Sequence, residues 1–191
     1  MVTKTTTSQE AKKKKKWISI LASTEFNNQE IGETYVEEPE KAVGRTVETN
    51  LMMLSKDPKR QNFNVYFKII SITNNQAQTR LYAYNIQVAQ LKRITKKSKN
   101  KIDDSFVYET KDGKKITIKP ILITKTLTYK TTLKLIRKVC RDFLKEHIKK
   151  LTGSQAMKDI IDNVLQKEIK NAVKKITPVV NCTIKSAILN D

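Results

Sequence analysis

Positive charge dominates the chemistry that this sequence can perform. Lysine and arginine number 38 against 19 acidic residues, which gives a net charge of +19 over 191 residues. Such an excess attracts a polyanion, and by charge alone the candidates are nucleic acid and an anionic membrane surface. The chain has no apolar run long enough to span a bilayer, and its N-terminus lacks the apolar region of a signal peptide. Nucleic acid is therefore the favoured partner, and we expect no membrane association.

The candidate phosphate contacts fall into three stretches. A polar tail, residues 1–16, ends in five lysines and is expected to be disordered on its own. The second stretch is the cationic segment, residues 92–101, and the third lies along one flank of a helix. Lysine contacts phosphate as a point charge without reading base sequence, so specificity would come from the shape of a folded RNA. The predicted RNA-binding residues are Lys12, Lys13, Lys14, Lys15, Lys16, Lys92, Arg93, Lys96, Lys97, Lys99, Lys101, Lys134, Lys138, Arg141 and Lys145.

Few residues could take part in catalysis. His147 is the single histidine and lies at the apolar edge of a helix, where a packed side chain is the expected state. Asp103 and Asp104 are adjacent in an extended segment, so they point to opposite faces and are expected to fix the conformation of the basic loop. Ser154 lacks the G-x-S-x-G surroundings of a hydrolase nucleophile. With no nucleophile, base and orienting group in one pattern, we predict no catalytic residues and no enzyme.

The two cysteines, Cys140 and Cys182, are too few for a disulfide framework or a zinc site. Both occupy apolar positions of their periodic segments, which predicts small core residues in a reducing compartment, the cytoplasm. The four glycines are scattered and form no phosphate-binding loop. We therefore expect no cofactor, no metal ion and no small-molecule substrate.

Residues 129–151 form the element that must position the third group of cations. At about 100° per residue, the apolar side chains fall on one face and the cations on the flank beside it. The apolar face must be buried, while the flank is either a solvated surface or an RNA contact. The apolar residues are Leu133, Ile136, Cys140, Phe143, Leu144, Ile148 and Leu151, and the flank consists of Lys134, Lys138, Arg141, Lys145 and Lys149.

The remaining pattern predicts an α+β fold. Alternating apolar residues indicate strands over 43–53, 63–69 and 81–91, and short turns between them favour an antiparallel meander. A hairpin follows over 106–111 and 114–124, in which Pro120 argues for an edge or a bulge. A second helix begins after Ser154 and ends before Pro178, and a last strand spans 180–185.

We therefore predict an antiparallel sheet or small β-barrel with two C-terminal helices and a disordered basic N-terminal tail. The domains are the tail, residues 1–16, and a single α+β RNA-binding domain, residues 17–191.

Two further features have open interpretations. Residues 25–48 carry seven glutamates against Lys41 and Arg45, so this acidic segment is expected away from nucleic acid or against a basic neighbouring protein. Tyr82 and Tyr84 share one strand face and could stack on unpaired bases. Packing within the sheet is the favoured alternative for both, because no RNP-like or GXXG signature accompanies them.

Several short motifs appear in an order and at intervals that resemble the small-subunit ribosomal protein family S3Ae of archaea and eukaryotes, called eS1 in the unified naming. The resemblance covers residues 12–189, and its length matches the archaeal form. The motifs are Lys16-Trp17-Ile18, Ile31-Gly32-Glu33-Thr34, Val43-Gly44-Arg45-Thr46-Val47-Glu48 with Leu51 and Leu54, Phe67-Lys68, Ser98-Lys99 with Ile102-Asp103, Thr110-Lys111-Asp112-Gly113 and Ile136-Arg137-Lys138.

The resemblance implies a structural protein of the small ribosomal subunit that binds ribosomal RNA and supports assembly and translation. Its implied location is the platform near the messenger RNA exit, beside neighbouring small-subunit ribosomal proteins, with messenger RNA as a further partner. The alternatives are a free-standing nucleic-acid-binding regulator and, from Asp103, Asp104 and His147 alone, a hydrolase or nuclease.

Overall fold

The computed structural model describes residues 15–190, which form nine strands and five α-helices. The strands are β1 (Lys16–Leu21), β2 (Glu30–Val36), β3 (Thr46–Asn50), β4 (Phe63–Thr73), β5 (Gln76–Ile86), β6 (Lys101–Asp103), β7 (Phe106–Glu109), β8 (Lys115–Thr124) and β9 (Val179–Asn190). The helices are α1 (Leu51–Ser55), α2 (Val88–Ile94), α3 (Lys130–Ile148), α4 (Gly153–Ile161) and α5 (Val164–Lys174). The tail residues Lys12, Lys13 and Lys14 lie outside the described residues, whereas Lys16 is the first residue of β1.

All nine strands belong to one branched sheet. Its main path runs β2-β1-β5-β9-β8-β6, with β4 on the other edge of β5, β3 beside β4, and β7 beside β8. Every pairing is antiparallel except that of β1 with β5. The predicted α+β class and the largely antiparallel sheet are confirmed. The strands of residues 15–190 do not close into a barrel, so the barrel alternative is wrong.

Two features of the strands follow from the backbone geometry, and the second confirms the bulge predicted at Pro120. Asn74 and Asn75 turn β4 into β5 with φ values of 51° and 61°, a left-handed conformation that asparagine tolerates better than most residues. The register of β8 against β9 shifts between Lys119 and Pro120. Because β8 lies between β9 and the strands β6 and β7, Pro120 is tolerated inside the sheet through this bulge and not at an edge.

The core lies between one face of the sheet and helices α3, α4 and α5. Ile136, Cys140, Leu144 and Ile148 recur at helical spacing on α3 and are at most 1% exposed. They join buried side chains of α4, α5, β5, β8 and β9 in one cluster. A second, smaller cluster forms where β1 packs near β4 and β5. The prediction that the apolar face of residues 129–151 is buried is therefore confirmed.

The helix that was predicted to start after Ser154 is divided in the structure. Its cap is Thr152, whose hydroxyl accepts from the Gln155 N–H at 3.4 Å, so α4 starts at Gly153. Asn163 then adopts a left-handed conformation with φ 59°, which separates α4 from α5. The carbonyl of Ile160, at the end of α4, accepts a 2.8 Å hydrogen bond from the side chain of Gln166. The break was not predicted because apolar residues recur at helical spacing on both sides of it.

Two strand predictions ran too far along the chain. The strand predicted over 43–53 ends at Asn50, whose side-chain oxygen accepts from the Met52 N–H at 2.9 Å and caps α1. The strand predicted over 81–91 ends at Ile86, and α2 follows it. In both places a polar residue ends an alternating run, and a short helix with continued apolar spacing begins.

Within residues 15–190, every helix is too short or too polar to cross a lipid bilayer.

We expect replacement of Leu144 by alanine to destabilise the fold strongly. Leu144 is 0% exposed in the α3 core, so its loss leaves a cavity and should lower the free energy of unfolding by about 2–5 kcal/mol. Leu135→Ala on the same helix is the matched control, because Leu135 is 54% exposed and its loss should cost less than about 0.5 kcal/mol. Urea denaturation measures both values, and equal losses would contradict the described orientation of α3.

Candidate nucleic-acid interface

The cationic segment begins on a helix and ends on a strand. Lys92 and Arg93 are exposed on the last turn of α2, and Lys96 and Lys97 are exposed in the loop that follows. Lys99 is half-buried in that loop. Lys101, the last cation of the segment, lies in β6 and is partly neutralised by Asp103 of the same strand. The Lys101 Nζ lies 2.8 Å from Asp103 Oδ2.

Asn100 fixes the end of the loop in place. Its side-chain oxygen accepts from the Thr128 N–H at 2.7 Å and from the Thr128 hydroxyl at 3.3 Å. Its backbone N–H donates to the Thr124 Oγ1 at 3.1 Å, and its carbonyl accepts from the Thr124 N–H, also at 3.1 Å. Thr124 is fully buried at the end of β8. The loop is therefore bonded to the chain that leads into α3.

The α3 flank carries the third group of predicted cations. Lys134, Lys138, Arg141 and Lys145 are all exposed, so the predicted separation of the apolar face from the cationic flank is confirmed. The Arg141 guanidinium is not free of contacts, since it lies 5.4 Å from the centroid of the Phe106 ring on β7. Lys145 lines a shallow cavity of about 390 Å³ between α3 and the β7–β8 hairpin.

Sequence reasoning missed some cations beside the α3 flank. Lys115 of β8 lines the same shallow cavity as Lys145 and Lys149, both of which were already predicted on the flank. Arg137 Nε lies 3.4 Å from Asp104 Oδ1, which ties α3 to the turn between β6 and β7. For Lys115 only the hairpin geometry brings the charge to α3, and no signal in the sequence indicated that contact.

Lys15, just before β1, and Lys16, its first residue, do not join these two groups. In the main path of the sheet, β1 is separated from β6 by β5, β9 and β8. Lys15 is directed to the acidic segment: its Nζ lies 3.8 Å from Glu37 Oε1 and 5.8 Å from the centroid of the Tyr35 ring. Glu37 also lies 3.8 Å from Lys41 Nζ. The acidic strand β2 is thus at the opposite end of the path from β6.

The candidates for catalysis are dispersed over the fold. Asp103 contacts Lys101 and lies 3.9 Å from Lys185, whereas Asp104 contacts Arg137. The His147 Nε2 lies 3.0 Å from a Glu168 carboxylate oxygen and links α3 to α5. No group of histidine, cysteine and acidic residues within 15–190 could hold a metal ion.

The remaining potential nucleophiles and stacking residues are packed. Burial raises the pKa of Cys140 and that of Cys182 to about 12, which keeps both thiols uncharged. Tyr84 is 1% exposed and stacks on Phe63 with centroids 5.6 Å apart, so it cannot stack on a base. Tyr82 is half-buried, with the Lys68 Nζ 5.8 Å from its ring centroid. For Tyr84, packing within the sheet is the observed arrangement.

We expect Asn100→Ala to loosen the cationic segment. The substitution removes the acceptor of the Thr128 N–H and should cost about 1–3 kcal/mol of stability. Amide hydrogen exchange at Thr128 should become faster as a result. Ser98→Ala is the control, because Ser98 is exposed and its side chain makes no hydrogen bond within the described residues. Unchanged exchange at Thr128 in Asn100→Ala would show that the loop is held by other contacts.

Comparison with known proteins identifies the family of this chain. The sequence profile of the Ribosomal S3Ae family matches residues 3–190. The chain is 31% identical to the small ribosomal subunit protein eS1 of Nanoarchaeum equitans over 166 residues, which cover 87% of this chain and 84% of that protein. It is 32% identical to the small ribosomal subunit protein eS1 of Methanocaldococcus jannaschii over 182 residues, 93% of this chain and 81% of that protein. The chain therefore belongs to the Ribosomal S3Ae family.

Proposed function

We propose that this protein is a structural constituent of the small ribosomal subunit that binds ribosomal RNA through the cationic segment and the α3 flank. The observation that supports this proposal most directly is the position of the exposed lysines of the cationic segment. They lie on a loop that Asn100 fixes to the chain leading into α3. A fixed row of cations presents its charge without the entropic cost of ordering a free loop. The tail lysines are a separate set of proposed phosphate contacts.

The charge balance supports a large polyanionic partner. A net charge of +19 opposes compaction of an isolated chain, and contact with phosphates removes that self-repulsion. The acids that face the cationic segment, Asp103 and Asp104, already pair with Lys101 and Arg137, so they neutralise only part of it. The exposed lysines at 92, 96 and 97 remain available for phosphate contact.

Membership of the Ribosomal S3Ae family makes this chain a ribosomal protein with a structural role. The relatives from Nanoarchaeum equitans and Methanocaldococcus jannaschii are named small ribosomal subunit protein eS1, which supports the small subunit as the site of assembly. Our proposal extends to ribosomal RNA, neighbouring small-subunit proteins and messenger RNA near the exit platform, in the cytoplasm. It includes a single RNA-binding domain over residues 17–191 after a basic tail, and it assigns no catalytic step to any residue.

The acidic end of the sheet fits a different neighbour. Glutamates on β2 and in the turn after it would repel phosphates, and β2 is the terminal strand of the main sheet path. We assign this end to a basic neighbouring protein of the subunit. The two ends of the sheet then contact partners of opposite charge.

Fractionation of a cell lysate on a sucrose gradient tests the assignment to the subunit. We expect the chain to sediment with small subunits and whole ribosomes and to remain there after a wash in moderate salt. Recovery only in the slow-sedimenting fractions would refute the proposal.

We expect the combined change of Lys96, Lys97 and Lys99 to glutamate to weaken RNA binding without unfolding the protein. The logarithm of the dissociation constant should depend less steeply on the logarithm of salt concentration, by about one unit for each lysine that contacts a phosphate. The matched control changes Lys167, Lys174 and Lys175 on and after α5, which are exposed and carry the same charge. Circular dichroism monitors folding, and loss of structure in the first variant would mean that the loop is structural.

A further inference from the structure

A row of polar side chains crosses the sheet on the face opposite the helices. Strand pairing sets Asn64 opposite Asn85, Asn85 opposite Ser186 and Ser186 opposite Lys119. The next row along the same strands is apolar and lies in the main core; its members are Val65, Tyr84, Ala187 and Ile118. Side chains alternate between faces along a strand, so the polar row points away from α3, α4 and α5. Sequence alternation alone cannot reveal this row, because it joins four strands that are distant in the chain.

A groove of about 500 Å³ lies over this row, between the sheet and α2. Tyr66 of β4 lines one part of it, Val88 and Leu91 of α2 form an apolar wall, and Lys119 and Lys185 line it from β8 and β9. The volume is within the range of about 300–1,000 Å³ that is usual for sites of small ligands. The same helix continues into Lys92 and Arg93, so the groove adjoins the cationic segment.

The two ends of the groove differ in their hydrogen bonding. At the β4 end, the Asn64 amide donates to Glu48, and its side-chain oxygen accepts from Gln87 at 3.4 Å. At the β8 end, neither Lys119 nor Ser186 has a side-chain hydrogen bond or ion pair with any residue between 15 and 190. One end is therefore internally satisfied, and the other offers an amine and a hydroxyl to a ligand.

Tyr66 is held in a fixed position at the satisfied end. Its backbone is paired on both sides, opposite Glu48 of β3 and Ala83 of β5, and burial raises the pKa of its hydroxyl, which stays protonated. A ring that is already oriented loses little conformational entropy when a planar group stacks on it. Bases stack on tyrosine regardless of their identity.

We propose that this groove binds one unpaired nucleotide of an RNA strand that runs along the cationic segment. The base stacks on Tyr66 beside Val88 and Leu91, and the phosphate contacts the Lys119 amine and the Ser186 hydroxyl. The Glu48 carboxylate, next to Tyr66, repels phosphate and so sets the orientation of the nucleotide, with the phosphate at the lysine end. This inference rests on the proposed RNA-binding function and adds to it a site for a single-stranded nucleotide.

Fluorescence anisotropy of the full chain with a labelled uridine hexamer tests the stacking contact. Tyr66→Leu should weaken binding of the hexamer about tenfold, whereas binding of an RNA duplex of the same length should change little. Tyr66→Phe keeps the ring and should retain affinity within about twofold. Tyr35→Leu is the matched control, because Tyr35 is 48% exposed on the acidic strand β2, outside the groove.

Lys119→Met tests the phosphate contact independently of the aromatic ring. It should weaken binding of the hexamer and lower its salt dependence by about one unit, while Lys167→Met on α5 should leave both unchanged. A hexamer with 5-iodouridine, irradiated with the unaltered protein, should crosslink to Tyr66. That measurement needs no variant, so it holds even if Tyr66→Leu fails to fold.

The outcomes separate the two proposals. The groove assignment is overturned if the iodouridine crosslink to Tyr66 is absent, or if folded Tyr66→Leu binds the hexamer as the unaltered protein does. In that case, lost RNA binding in the Lys96, Lys97 and Lys99 variant would still support the proposed function. Equal affinity for uridine monophosphate and for the hexamer would also overturn the groove assignment, because it would indicate a site for a free nucleotide. Indifference of the unaltered protein to all RNA would instead refute the proposed function.

Discussion

Burial of the apolar face of α3 against the sheet is the contact on which the rest of the molecule depends. Ile136, Cys140, Leu144 and Ile148 are removed from water by one packed layer. At about 100° per residue, this burial leaves the cationic flank of the same helix in solvent. The hydrophobic effect therefore also determines where the charge is presented, although it acts only on the apolar side chains.

The distribution of charge follows from the order of the strands. The acidic strand β2 and the cationic end at β6 terminate the main path of the sheet, with β1, β5, β9 and β8 between them. Exposed charges that lie farther apart than about 8 Å are largely screened from one another at physiological salt. Each end of the sheet can therefore contact its own partner, and the excess of lysine does not need to be neutralised within the chain.

The elements that sequence reasoning recovered are those in which one periodic pattern decides the structure. Helix α3 combines an uninterrupted apolar spacing with a clear polar flank, and the β7–β8 hairpin has its Asp112-Gly113 turn between alternating strands. The break between α4 and α5 was missed because it depends on a single left-handed residue, Asn163, within a spacing that continues on both sides. The start of α2 was missed for a similar reason, since apolar residues continue past Ile86.

The lysines of the candidate interface could be predicted from the basic composition of their segment. The anchor of their loop could not, because it depends on a hydrogen bond between Asn100 and Thr128, which are 28 residues apart. The polar row under the groove was not recovered at all, because register between distant strands is set by the whole sheet.

Strand β9 is the joint of the sheet. Among the described residues, the strands β1 to β5 form no hydrogen-bonded pair with β6, β7 or β8, and β9 pairs with both β5 and β8. Strand β9 comes after all the other strands in the chain. During synthesis, β1–β5 and β6–β8 therefore cannot form one continuous sheet until the residues after 178 have been made. Contacts of such long sequence separation slow folding and leave strand edges open to other chains in the meantime. Until β9 is made, a nascent chain of this protein therefore carries two incomplete sheets whose edges at β5 and β8 lack their native partner.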